Sequence, residues 1–96
     1  MSVYLIGRLR AEDLSWAREY GPVAAKTVER HGGRYLVRGG AMEKLEGSED
    51  LPTTMVLLEF PDAASVHAWH EDPEYQPMIK LRQASSQLEL TMVEGL

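Results

Sequence analysis

The side chains best able to do chemistry in this chain gather in one decapeptide, WHEDPEYQPM at positions 69–78, and in a few separate arginines. The decapeptide holds an imidazole that titrates near neutrality (His70), three carboxylates (Glu71, Asp72, Glu74) and a phenol (Tyr75), the parts from which acid–base sites are made. Its punctuation points elsewhere. Asp72, Pro73 and Glu74 form a helix-start signature, with a capping carboxylate, a proline at the first helical position and an acidic first turn. Trp69 continues the three-residue spacing of Ala63 and Val66, as a core anchor does. The stretch therefore reads chiefly as the junction between two helices. Tyr75, with a buried ring and a hydroxyl seeking a polar neighbour, is its contribution to a binding cavity, and His70 stands beside it.

His67, His70 and Glu71 fall within one helical turn, which raises the question of a metal. Zinc-binding histidines on a helix are spaced four apart with a carboxylate nearby. Here the spacing is three, and no third ligand is identifiable. Surface histidines are the reading, and neither a metal nor another cofactor is expected.

The arginines pose a sharper choice. With regular alternation, Arg8 and Arg38 project from the same sheet face as Glu59. Buried charges are usually paired, so an ion pair setting the register of two sheets explains them. The alternative is an anion pocket, in which Arg38 and Arg82 grip a carboxylate bidentately beside Tyr4, Leu36 and Leu57. The glycine pairs at 32–33 and 39–40 open no helix and match no phosphate-binding spacing. Ser65, Ser85 and Ser86 lack the surroundings of an activated nucleophile.

These residues must be positioned by a small frame. Ninety-six residues make a single domain, 1–96. A net charge of −5 with ten scattered Lys and Arg argues against nucleic acid and anionic membranes as partners. The absence of cysteine removes disulfides, thiolate metal sites and a cysteine nucleophile. No basic stretch precedes the apolar run in MSVYLIGRLR, and nothing approaches the length of a membrane span, so a cytoplasmic location is the expectation.

Alternation predicts a strand over 3–9, with Tyr4, Ile6 and Arg8 on one face and Val3, Leu5 and Leu9 on the other. Asp13 is placed to cap a helix carrying Leu14, Ala17, Tyr20, Ala24 and Val28, interrupted by a kink or a restart at Gly21-Pro22 and stopped at HGG. A second strand over 34–38 sends Arg34, Leu36 and Arg38 one way and Tyr35 and Val37 into the core. AMEKLEG continues as a twisted edge segment. TTMVLLEF, 53–60, is the third strand. Asp62 caps a short helix, a further helical piece covers 73–84, and LELTMVE, 88–94, closes the chain.

The order β-α-β-β-α-β, its second helix broken in two, predicts an α+β, ferredoxin-like fold: a four-stranded antiparallel sheet with helices on one face. The uncovered face would carry Tyr4, Ile6, Leu36, Leu57 and Val93. That is too much apolar surface for water, so a homodimer joined through its sheet faces is predicted.

The motifs GGRYLVRGG, LEG, VLLEFPD, AWHEDPEYQ, LRQAS and MVEG, in this order, resemble an uncharacterised bacterial family. It is catalogued as domain of unknown function 1330, within the dimeric α/β-barrel superfamily. The resemblance covers nearly the whole chain and implies a ferredoxin-like homodimer with a pocket and no assigned activity. It favours Arg38, Glu46, Tyr75 and Arg82 as ligand-binding residues, since all four fall in matching motifs. Family members often carry Tyr and Ser at the positions of His70 and Asp72. The superfamily also contains antibiotic monooxygenases, muconolactone isomerases and stress-response barrels, and function there lies in the site rather than the fold.

Two functions follow. One is a homodimeric module binding a small, partly apolar anion. The other is a cofactor-free enzyme of monooxygenase or isomerase type acting on a small aromatic or carboxylate substrate. In the second, His70 or Glu59 serves as general base and Arg38 or Arg82 stabilises a developing enolate.

Overall fold

The computed structural model describes residues 1–96. The central strand β1 (Val3–Ala11) buries Val3, Leu5 and Leu9 and turns Tyr4, Ile6 and Arg8 the other way, as its alternation requires. Helix α1 (Ala17–Arg30) and strand β2 (Arg34–Arg38) follow. A connection without regular structure leads to β3 (Thr54–Phe60), α2 (Ala63–His70), α3 (Gln76–Gln83) and β4 (Ser86–Glu94). All strand pairs are antiparallel, in the spatial order β2-β3-β1-β4. This is the ferredoxin-like arrangement, with the helices on one face.

The core lies between that face and the helices. Leu5, Val28, Leu58, Phe60, Val66, Trp69, Tyr75 and Ile79 are members of one cluster. Trp69 is its hub: its ring stacks on Tyr75 at 4.6 Å and lies 5.5 Å from Phe60, while its Nε1 donates to Thr27 Oγ1 at 3.2 Å. Gly7 permits the close approach of the central strands, because a methyl there would stand 2.6 Å from Val56 Cγ2.

Five expectations are corrected. Asp13 does not cap α1. Its carboxylate accepts from the Ser15 backbone and hydroxyl, forming a local turn, and the helix begins at Ala17 with Leu14 exposed. Pro22 does not interrupt α1. It sits in the second turn on the solvent side and forfeits one backbone bond, to the carbonyl of exposed Arg18, which water can satisfy. Asp72 does not cap a helix starting at 73. One oxygen accepts from the Glu74 backbone to close a turn, and α3 begins only at Gln76. Residues 41–47 form no edge strand.

The fifth correction matters most. Across β2–β3 the register runs Arg34 with Glu59, Tyr35 with Leu58, Val37 with Leu57 and Arg38 with Val56. Leu36 is therefore an extra residue, a β-bulge, and every side chain beyond it changes face. Val37, expected in the core, lies on the open face beside Leu57 and is 42% exposed. Arg38, expected on the open face, points to the helix side. Gly39 and Gly40, at φ +78° and +115°, then lead the chain out of the strand through conformations that favour glycine.

Candidate functional site

The bulge and the helix start together make a cavity. Its volume is about 260 Å³, between the sheet and the first turns of α1. Val56, Leu58, Leu88 and Leu90 form the sheet wall, Trp16, Ala17 and Tyr20 the helix wall, and Trp69 and Tyr75 the end nearest α2 and α3. Tyr35 and Arg38 from β2 complete it. No carboxylate and no histidine lines it.

At the aromatic end the hydroxyls of Tyr20 and Tyr75 are in direct hydrogen-bond contact. Arg82 Nη1 donates to both, at 3.0 Å each. Arg82 is only 5% exposed, and its Nε has no protein partner. None of the ion pairs of the chain involves it. A buried guanidinium held by two phenol hydroxyls and no carboxylate is an unusual arrangement, since buried charges ordinarily meet an opposite charge. Burial, followed by the neighbouring Tyr20, raises the Tyr75 pKa, and Arg82 only partly offsets this. Tyr75 is therefore neutral and holds its proton.

The other end is wetter. Arg38 is exposed, and its guanidinium lies over the Tyr35 ring at 5.0 Å from the centroid. Burial pushes the Tyr35 phenol up to about 12, against the pull of Arg38.

The sequence-predicted residues thus divide. Tyr75 and Arg38 line the cavity, and Arg82 stands behind the hydroxyls of Tyr20 and Tyr75 rather than in the lining. His70 is exposed and meets Tyr75 edge to face at 6.4 Å between centroids, outside the cavity lining. Its pKa is lowered, first by partial burial and then by the Arg82 charge.

Glu59 lies on the opposite sheet face. It accepts from Arg34 at 2.8 Å and from the Tyr4 hydroxyl at 3.1 Å, and Arg34 chiefly holds its pKa down. Glu46 is exposed in the 41–52 connection, beside Arg8, Lys44 and Glu49. Tyr4 and Leu57 are on the open face with Glu59, and the exposed bulge residue Leu36 has no register partner on β3. The expected pocket of Arg38, Arg82, Tyr4, Leu36 and Leu57 is not formed: Arg38, turned by the bulge, and Arg82, on α3, are on the helix side, whereas Tyr4 and Leu57 are on the open face.

Tyr20, Tyr35 and Trp16 were not singled out by sequence as site residues. One signal was available for the polar cluster. Tyr75, Ile79 and Arg82 follow at intervals of four and three, which puts Arg82 on the buried helix face with no acidic residue in that stripe.

Asp72 performs structural work. Its Oδ2 accepts from Arg30 at 2.9 Å and from His31 Nε2 at 2.8 Å, clamping the end of α1 to the α2–α3 turn. The His31 hydrogen bond, with help from Glu74 N–H and Arg30, lowers its pKa to about 2. No group of three His, Cys, Asp or Glu side chains is placed to hold a metal ion. No helix is long and apolar enough to cross a membrane.

The chain belongs to the family described as Domain of unknown function (DUF1330), whose sequence pattern matches residues 2–96. No protein of curated function matches it. Among solved structures it is similar to a protein of unknown function from Rhodopseudomonas palustris, at 22% identity and TM-score 0.79, covering 99% of this chain and 82% of that one. A dimeric ferredoxin-like protein of unknown function from Jannaschia sp. CCS1 matches at 16% identity and TM-score 0.75, over 99% and 100% of the two chains. SnoaB, a cofactor-independent oxygenase from Streptomyces nogalater, matches at 13% identity and TM-score 0.66, over 99% and 93%. These likenesses establish the ferredoxin-like fold.

Proposed function

We propose that this member of the DUF1330 family is a homodimeric binding protein for a small, largely apolar molecule bearing an anionic or electron-rich oxygen. The observation that carries this reading is Arg82. A guanidinium buried without a carboxylate, bonded instead to two phenols at the wall of an apolar cavity, leaves positive potential for a ligand to satisfy. Size supports it as well. A dry cavity of roughly 150 Å³ accepts benzene, so about 260 Å³ takes one or two fused rings. Arg38 at the rim suits a carboxylate on such a ring.

The dimer is supported by the open sheet face. Ile6, Leu57, Val37 and Val93 make it apolar, and the dimeric state of the similar Jannaschia protein agrees with its closure by a second copy. Isothermal titration with aromatic carboxylates and phenols tests the binding reading. A ligand in the micromolar range, weakened by Arg38→Ala and by Tyr20→Phe, supports it. Affinities no tighter than millimolar, equal in wild type and both variants, would refute it.

A second reading, a cofactor-free oxygenase, is favoured by the fold shared with SnoaB. It stands behind the first because the cavity lining supplies no side chain able to serve as general base: Glu59 is on the far face and His70 outside the wall. Oxygen uptake with hydroxylated aromatic substrates, abolished in Tyr75→Phe, would reverse that order.

A further inference from the structure

We propose that the cavity, taken as the ligand site above, selects its ligand through an acceptor oxygen and binds it as the anion, a ring phenolate or enolate. The inference deepens the binding reading and rests on it. Hydrogen-bond accounting leads to it. Each phenol has one hydrogen to donate and two lone pairs. Arg82 Nη1 has two hydrogens, and it spends one on each phenol oxygen. The contact between Tyr20 and Tyr75 uses one further hydrogen, from either partner. Whichever donates, the pair retains one O–H, and it sits on the oxygen whose lone pairs are both taken. That oxygen belongs to Tyr75, 1% exposed, or to Tyr20, half-buried, and both rings line the cavity.

One lone pair also remains, on the other oxygen. The buried guanidinium decides between the two. A cation donating to both oxygens draws electron density from them, strengthening the free O–H as a donor and weakening the free lone pair as an acceptor. A ligand oxygen placed there is asked to accept. A neutral phenol satisfies this poorly, because its own proton needs an acceptor and no carboxylate or imidazole lines the wall. Its phenolate, with the proton released to solvent, meets both the donor and the uncompensated charge.

The probe is 4-nitrophenol, whose yellow phenolate reports its own ionisation. Its absorbance is titrated against pH, free and in the presence of saturating protein. The ionisation midpoint of the bound molecule should fall by at least about one pH unit, a tenfold preference for phenolate. Tyr75→Phe and Tyr20→Phe each shrink the fall, and Arg82→Met reverses its sign, since burial without a cation favours the neutral form. Near-UV circular dichroism confirms that each variant is folded, and the two phenylalanine variants keep the test decisive should Arg82→Met not fold. Binding with an unshifted or raised midpoint in wild type overturns this inference and leaves the cavity as a neutral-ligand site. No binding of either form overturns the cavity reading and the inference together.

Discussion

Arg38 is the cross-strand partner of Val56, and the pair shares the helix-facing side of the sheet. One extra residue, Leu36, is enough to bring this guanidinium from the open sheet face to the rim of a cavity. The consequence is measurable. Arg38→Ala should weaken a ring carboxylate by about fivefold to tenfold, ~1 kcal/mol for an exposed charged contact. It should leave the oligomeric mass unchanged. Calorimetry with light scattering reads both quantities, and a shift to monomer with binding intact would return Arg38 to the interface.

Arg82 is predicted to be retained at a cost to stability. Replacing an uncompensated buried charge with an apolar side chain of similar volume is often neutral or stabilising. Arg82→Met should therefore unfold in urea with a stability unchanged within about 1 kcal/mol, or higher. Tyr75→Phe should lose about 2 kcal/mol, because it strips the buried guanidinium of an acceptor. The reverse ranking would mean that Arg82 is a structural residue with a partner not accounted for.

The Asp72 clamp sets the acid limit of the fold. Its folded pKa of about 2 lies below the ordinary 3.8, so its contribution is fully present above 3.8 and disappears as pH falls from there towards about 2. Urea midpoints should drop across that window in wild type. In Asp72→Asn the protein starts less stable near neutrality, and its curve is flatter through the same window. Parallel curves would assign the acid loss to other carboxylates.

The open sheet face gives a fourth test. Leu57 lies at its centre, paired with Ile6 and flanked by Val37. Leu57→Glu should convert a species of twice 10.8 kDa into one of 10.8 kDa while far-UV circular dichroism is retained. A wild-type protein that is already monomeric at micromolar concentration would remove the dimer from this account.

The strands β1 and β3 were legible because VYLIGRL and MVLLEF are short apolar runs rich in β-branched and aromatic residues, and the two-residue period of a strand then assigns their faces. Asp62 as the α2 cap was legible for the same local reason, and its side chain accepts from Ser65 N–H. The site was much less so. A bulge leaves no periodic trace, so nothing in RYLVR announces that Arg38 changes sides. Asp72 carries every mark of a helix cap, and its second oxygen is diverted by Arg30 and His31 from some forty residues away, a pairing no local pattern encodes. The Tyr20–Arg82 contact spans 62 positions and joins two helices. Its sequence trace was the misplaced charge on the apolar face of α3.

Both tryptophans, Trp16 and Trp69, line the cavity, so intrinsic fluorescence reports directly on whether anything enters it. The decisive measurement is a fluorescence titration of wild type and Tyr20→Phe with ring carboxylates and phenols of one or two rings. A binding cavity requires a saturable change in the micromolar range that weakens about tenfold when the Tyr20 hydroxyl is removed. A linear, unsaturated response up to millimolar ligand in both proteins would contradict it.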